Sequence, residues 1–381
     1  MSFIILLGIV SLFGDITYEG ARAVTGPYLY QLGASAGVVG LVAGLGEFAG
    51  YSLRLASGYI ADRTRAYWLL TFVGYGLILA IPLLAFTGRW QPAVVLIILE
   101  RVGKAIRNPA RDTMLSYATK KVGRGWGFAV HEALDQVGAV IGPVAFAVVL
   151  LSRDTYQEGF KYLFIPALLT LVVLAVTRKR FPSPVTLEIP ERPSKQNIQT
   201  RLPRVFWLYT AFALVSAAGF ANFQLISYHL AAQPQPIVPD FQIPIIYAIA
   251  MAVDAVAALI VGRTYDRVGL TSLLVIPLLT LPIAFLAFSS SYGSVLAGMA
   301  LWGVVLGVHE TIMRAAVADL TPVERRGFAY GVFNTMYGAG WGLGGVVMGL
   351  LYSHSITYLI MFSAAMEVAS IPLFFLVRRE K

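Results

Sequence analysis

The sequence predicts an all-α integral membrane protein: twelve transmembrane helices arranged as two pseudo-symmetric six-helix bundles. Three observations carry that expectation: an apolar composition, apolar runs long enough to cross a bilayer, and a pattern that recurs about two hundred residues along the chain. Of the 381 residues, 57% are hydrophobic and only 13% charged, against about 25% charged in a soluble domain. Mean hydropathy is +0.72, so lipid rather than water is the solvent for most of the surface.

The apolar runs fall near 3–31, 36–61, 68–87, 91–117, 126–151, 161–177, 204–231, 241–265, 270–288, 292–318, 327–352 and 356–377. Each approaches the length, about 20 residues, that a helix needs to cross roughly 30 Å of hydrocarbon. A barrel would show segments of about ten residues with alternating polarity, and that pattern is absent. The first run carries Asp15 and Glu19 and has no basic leader, so it reads as a membrane helix rather than a cleavable signal.

The stretch from Arg178 to Arg204 is polar and carries Pro182, Pro184, Pro190, Pro193 and Pro203. It reads as a linker that divides the chain into an N-terminal bundle (1–177), a cytoplasmic linker (178–203) and a C-terminal bundle (204–381). With the N-terminus inside, most lysines and arginines fall in cytoplasmic segments, while the outer loops hold few beyond Arg89, Arg153 and Lys161. This satisfies the positive-inside rule and places both termini in the cytoplasm. The net charge of +9 is thereby assigned to the anionic inner leaflet rather than to nucleic acid.

There is no cysteine, which excludes disulfides and thiolate metal sites. The four histidines, His131, His229, His309 and His354, are scattered and read as ordinary structural residues. Neither His131-Glu132 nor His309-Glu310 has a second histidine at i+4, so no metal site is expected. No Gly-x-x-x-x-Gly-Lys-Ser/Thr occurs either, which leaves no ATP site; no cofactor and no enzymatic role are expected.

The repeat is visible in the residues. Gly58-Tyr-Ile-Ala-Asp62-Arg63 follows the second run, and Gly262-Arg-Thr-Tyr-Asp266-Arg267 follows the eighth. Gly127-Phe128, Gly138-Ala139 and Gly142 in the fifth run recur as Gly327-Phe328, Gly338-Ala339 and Gly342 in the eleventh.

These residues resemble the signature of the major facilitator superfamily, whose loops after helices two and eight carry Gly-x-x-x-Asp-Arg-x-Gly and then basic residues. Arg65 stands where that pattern has its second glycine in the first copy; the second copy keeps Gly269. The resemblance covers nearly the whole chain and implies a twelve-helix transporter working by alternating access. By the same resemblance, Gly58, Asp62, Arg63, Asp266 and Arg267 would form a latch on the inner side, Asp62 capping the helix that begins near Arg326 and Gly327. Arg107 and Arg111 would serve as its salt-bridge partners, or as an inlet for an anionic group.

Gly138-x-x-x-Gly142-Pro143 in helix five looks like the motif that this superfamily associates with antiporters and exporters, and it points towards efflux. The same glycines also read as a plain small-residue packing face, with Pro143 bending the helix. Arg101 corresponds to the signature arginine of the superfamily's helix four, although the Gln-Gly-x-Gly expected after it is missing.

Charged side chains inside hydrocarbon are costly and are therefore functional candidates. Asp15, Glu19, Arg101, Glu132 and Asp135 are the expected proton-coupling and charge-relay group, with Arg101 and Asp135 expected to pair. A carboxyl removed from water holds its proton more tightly, as loading and release near neutral pH require. Glu367, in the last run, has no assigned role. Tyr18, Asn222, Gln224, Glu310, Asn334 and Tyr337 are candidates for a substrate pocket. The expected function is proton-coupled efflux of a small molecule by a monomer in a bacterial inner (plasma) membrane. Proton symport or facilitative uptake is the alternative.

Overall fold

The computed structural model describes residues 1–119, 124–184, 202–233, 237–321 and 326–380. Among these the regular structure is helical throughout: α1 (Ser2–Arg22), α2 (Thr25–Gln31), α3 (Ala36–Thr64), α4 (Tyr67–Gly76), α5 (Trp90–Thr119), α6 (Arg124–Arg153), α7 (Tyr156–Tyr162), α8 (Phe164–Arg180), α9 (Arg204–Gly219), α10 (Phe223–Ala231), α11 (Gln242–Val268), α12 (Val275–Ala287), α13 (Tyr292–Leu320), α14 (Arg326–His354) and α15 (Ile356–Glu380). Short 3₁₀ turns extend α4 as far as Phe86, where Pro82 has no N–H to give, and join α11 to α12.

Counted along the chain, the described helices form twelve rods, since α1 continues into α2, α7 into α8 and α9 into α10. Nine stretches are long and apolar enough to cross a membrane by length and composition, one of them, Gln242–Ala287, holding both α11 and α12. The two rods outside that count are α5, which carries Glu100, Arg101, Lys104, Arg107 and Arg111, and the glycine-rich α14. At 30 and 29 residues they are about 45 Å long, ample for the hydrocarbon core.

The outward faces fit lipid: Leu259 is 75% exposed, Phe86 68% and Leu151 66%. Such a surface is stable only where hydrocarbon covers it, and a helix satisfies its own backbone there.

Two compact units emerge. Met1–Val24 and Leu53–Gln196 form the first, and Thr25–Ser52 with Asn197–Lys381 the second. The residues 25–52 precede the linker in the chain yet belong with the second unit, where Gly40 and Gly44 of α3 lie against Gly342, Gly345 and Gly349 of α14. A Cβ on Gly40 would stand 2.6 Å from Gly345 O, so only glycine permits that approach. Gly26 likewise meets the backbone of Gln224 on α10.

In the first unit α1 is the central helix, packed on α6 and α8. Gly138 of α6 meets Leu12 O of α1, and a Cβ on Gly142 would stand 2.5 Å from Ile16 O and 2.9 Å from Gly20 N. In the second unit α9 has the same part, packed on α14 and α15. Here Gly340 meets Leu214 O and Gly344 meets Ala218 O. The glycines read in sequence as recurring, Gly338 and Gly342, face α3 instead, against Tyr51, Gly44 and Phe48.

Candidate functional site: charge in one unit, aromatic rings in the other

The first unit buries most of its charge where α1, α5 and α6 meet. Glu100 and Arg107 lie two turns apart on α5, so their side chains meet along one face, at 3.1 Å, with exposures of 1% and 2%. Arg107 also donates to Gly74 O and lies 4.9 Å from the Tyr75 ring centroid. That carbonyl is within reach because α4 and α5 cross at Gly74 and Gly103, each facing the other's backbone.

Arg111 donates to Asp112 Oδ1 and to Ser11 Oγ, both at 2.9 Å. Ser11 is a hub on α1, also within hydrogen-bond distance of Tyr75 OH (3.2 Å) and His131 Nε2 (3.1 Å). Arg107 and Arg111 were expected as salt-bridge partners of Asp62 or as an inlet for an anionic group; in the structure Arg107 pairs with Glu100, and Arg111 with Asp112 and Ser11.

Higher on the same face, Tyr18 is 2% exposed and carries two cations on its ring, Arg101 at 4.5 Å and Lys104 at 3.9 Å from the centroid. Arg22 lies 6.0 Å from the same centroid and pairs with Glu19 at 3.7 Å. An aromatic face attracts cations by its quadrupole, more strongly when both are dry.

Asp15 lies within electrostatic reach of Asp135, Lys104, Glu19 and Arg107. Asp135 has a different set of neighbours from the Arg101 expected: Asp15, Arg111 and His131 feel its charge, and its Oδ1 is buried without a hydrogen-bond partner. Glu132 sits one turn before Gln136 on α6 and is exposed. Of the helix-five motif, Gly138 and Gly142 form the tight α1 seam, and Pro143 lies inside α6 without ending it.

The loop motif is more open than the resemblance implies. Gly58 is beside Pro109 and Gly262 beside Thr311, with room at each for a Cβ at 3.6 and 3.5 Å. Asp62, Arg63, Asp266 and Arg267 are exposed, Arg63 donating to Tyr59 OH at 2.9 Å. The expected cap from Asp62 onto residues near Arg326 and Gly327 lies outside the described side chains. What the two loops do share is backbone geometry: Arg65 has φ 52° and Gly269 φ 59°, so the position that the motif gives to glycine does demand the left-handed side of the map.

The second unit is built differently. Phe220, Trp302, Trp341, Tyr337 and Phe333 form a continuous run of ring contacts, with centroids between 5.3 and 6.0 Å for neighbouring pairs. Trp302 Nε1 donates to Ala221 O, one of the carbonyls freed where α9 gives way to α10. Asn222 and Gln224 sit at this break; both are buried, and neither Asn222 amide atom nor Gln224 Oε1 has a hydrogen-bond partner. Broken helices at matching places in the two halves, here near Ala23 and Phe220, mark the binding region in transporters built from repeats.

Glu310, Asn334 and Tyr337 line a narrow cleft together with Tyr51, His309 and Phe333, with a free volume of about 10 Å³. Thus the six pocket candidates fall in three places: Tyr18 in the charged core, Asn222 and Gln224 at the helix break, and the other three at this cleft. Tyr51, His309 and Phe333 were not among them. The spacing Phe333, Tyr337, Trp341 at i, i+4, i+8 is the signal in α14 that marks an aromatic face.

Glu367 is fully buried between α15 and α9, where Ser216 Oγ donates to its Oε2 at 3.0 Å and Gly219 leaves room for its Oε1.

The family model of the major facilitator superfamily matches residues 5–233 and 227–381. The chain belongs to this superfamily and is a multi-pass membrane transporter of a small molecule. An uncharacterised protein of Mycobacterium tuberculosis is 41% identical over 382 residues, covering 99% of this chain and 93% of the relative. An uncharacterised transporter of the same superfamily from Methanocaldococcus jannaschii is 28% identical, covering 87% of this chain and 84% of its own. In fold, the chain is similar to a transporter of the POT family solved with 5-aminolevulinic acid (TM-score 0.81, 13% identity, 99% of this chain and 96% of the other). It is also similar to the nucleoside transporter NupG (TM-score 0.74, 16% identity, 99% of each).

Proposed function

We propose that the protein exports a small molecule in exchange for protons, by alternating access of the halves 1–177 and 204–381, as a monomer in a bacterial inner membrane with both termini in the cytoplasm. The observation that carries this reading is that Asp15 on α1 lies within electrostatic reach of Asp135 on α6, the helix packed against it, with Lys104, Arg111 and His131 acting on one or the other. Two carboxylates in low dielectric resist sharing a site while both are ionised. A proton taken up by one of them relieves that repulsion, and its release restores it, which ties the packing of the seam to protonation. The glycines that bring α6 onto α1 make the seam sensitive to such a change, because there is no side-chain layer to absorb it. The Gly-x-x-x-Gly-Pro pattern there supports export over uptake by proton symport.

The test is reconstitution into liposomes carrying a pH-sensitive dye, with candidate solutes presented under an imposed proton gradient. Asp135→Asn is expected to abolish solute-dependent proton movement while part of the solute exchange persists. A variant that couples like the parent overturns the assignment.

A further inference from the structure

The cleft of the second unit has walls of unusual chemistry for a membrane protein. The Tyr51 and Tyr337 rings meet edge to face at 5.2 Å and 74°, Phe333 stacks on Tyr337 at 6.0 Å and 21°, and His309 stands perpendicular to Tyr337 at 5.6 Å. Trp341 backs both tyrosines, at 6.4 Å from Tyr51 and 5.9 Å from Tyr337. Among the described side chains that line the cleft, one carries a formal charge, the half-buried carboxylate of Glu310, and none is a lysine or arginine.

His309 adds a second polar feature. It is 4% exposed, its Nδ1 lies 2.9 Å from Tyr337 OH, and its Nε2 is buried with no hydrogen-bond partner. A buried polar atom left unmatched costs free energy unless a ligand supplies its partner. With Nδ1–H donating to Tyr337, Nε2 presents a lone pair, the group that an ammonium N–H or a polarised N-methyl seeks.

Electron-rich ring faces and a carboxylate repel an anion and attract a cation. We propose that this cleft binds the positively charged nitrogen of the transported molecule, an alkylammonium or quaternary ammonium head, with Tyr51, Phe333 and Tyr337 facing the charge and Glu310 neutralising it. The proposal deepens the reading of the chain as a small-molecule exporter and rests on it for the word transported; the binding itself does not depend on proton coupling.

The experiment is equilibrium binding to the purified full-length protein in detergent, with radiolabelled choline as the cation and its neutral isostere 3,3-dimethylbutan-1-ol as the control of equal shape. Choline is expected to bind at least tenfold more tightly than the isostere. Glu310→Gln should weaken choline about tenfold or more and leave the isostere unchanged, which also shows the variant to be folded. Tyr337→Phe keeps the ring and should hold choline within about threefold, whereas Tyr337→Leu should lose it. Equal binding of the two probes, no binding of choline, or unchanged choline affinity in Glu310→Gln overturns the proposal. Because no gradient is involved, loss of choline binding leaves proton-linked export standing, and absence of proton movement leaves the ammonium site standing.

Discussion

Helices α6 and α14 meet the central helix of their own unit, α1 or α9, through the same contacts, Gly138 and Gly142 on Leu12 and Ile16 in one, Gly340 and Gly344 on Leu214 and Ala218 in the other. Every one of these pairs is 202 residues apart, and α5 and α13 begin at the same interval, at Trp90 and Tyr292. At that register the chemistry diverges: His131, Glu132 and Asp135 of α6 correspond to Phe333, Asn334 and Tyr337 of α14, Tyr18 corresponds to Phe220, and Glu100 and Arg107 correspond to Trp302 and His309. The backbone approach is shared, while charged and polar side chains in the first unit stand opposite in register to mostly aromatic ones in the second.

The largest effect expected from breaking this contrast is at Glu100 and Arg107. Removing one member of a buried pair leaves an uncompensated charge, at a cost of about 3–5 kcal/mol. Glu100→Ala should therefore lower the melting temperature in detergent far more than the double variant Glu100→Leu/Arg107→Leu, which removes both charges and fills the space. A double variant no better than the single one would show that the two residues act independently.

Next come the conserved contacts of the shared scaffold. Gly142→Ala and Gly344→Ala each drive a methyl group into backbone of the adjoining helix and should cost about 1–3 kcal/mol. Gly58→Ala and Gly262→Ala, where a Cβ meets ordinary contact distances, should stay within about 0.5 kcal/mol. Thermal unfolding of the four variants separates the positions where the two units need glycine for packing from those where they do not. Equal losses at all four would sink the distinction.

The loops that carry the repeated motif give effects of opposite sign in the two units. Arg65 holds a positive φ that costs a residue with a Cβ about 1–2 kcal/mol, whereas Gly269 bears no such strain. Glycine at position 65 gives back part of that in unfolded-state entropy, about 0.4–1 kcal/mol. Arg65→Gly should stabilise the protein by about 0.5–1 kcal/mol, and Gly269→Ala, with open space around it, should destabilise it by about 1–3 kcal/mol through conformation alone. Stability unchanged by both substitutions would mean that the loops relax freely.

Which of these features were legible in the sequence follows from what a periodic pattern records. Apolar length marks membrane helices, and glycine recurrence marks a repeat, so the helical rods and the relation between the halves are readable without coordinates. Azimuth is not. The sequence places Arg107 two turns beyond Glu100 on α5, but whether it turns towards Glu100 or towards a loop depends on the glycine crossing at Gly74 and Gly103, which draws α4 in. The breaks after Arg22 and Gly219 lie inside runs that read as single apolar spans, 3–31 and 204–231, because no polar stretch interrupts either run there. The repeat is readable but its register is not: an interval of 200 aligns Gly138 with Gly338, while packing aligns it with Gly340, and only the second alignment sets Asp135 against Tyr337. His309 shows the remaining gap. A histidine on an apolar helix reads as structural, and its open Nε2 becomes meaningful only beside the rings of Tyr51 and Tyr337.

The smallest effect bears on the ring that the two units share at the top of this series, Tyr18 against Phe220. The Tyr18 hydroxyl is buried and has no hydrogen-bond partner, while its ring holds Arg101 and Lys104. Tyr18→Phe, which gives the first unit the residue of the second, removes an unmatched polar atom and keeps both cation contacts, so stability should stay within about 0.5 kcal/mol of the parent or rise slightly. Tyr18→Leu, which removes the ring, should cost clearly more, since each desolvated cation contact contributes up to about 2 kcal/mol. If Tyr18→Phe leaves stability intact but halts flux in liposomes, the hydroxyl is matched by the substrate itself, and the charged unit binds as well as couples. If flux survives, Tyr18 acts as a platform for two cations and the division of labour between the units is the sharper for it.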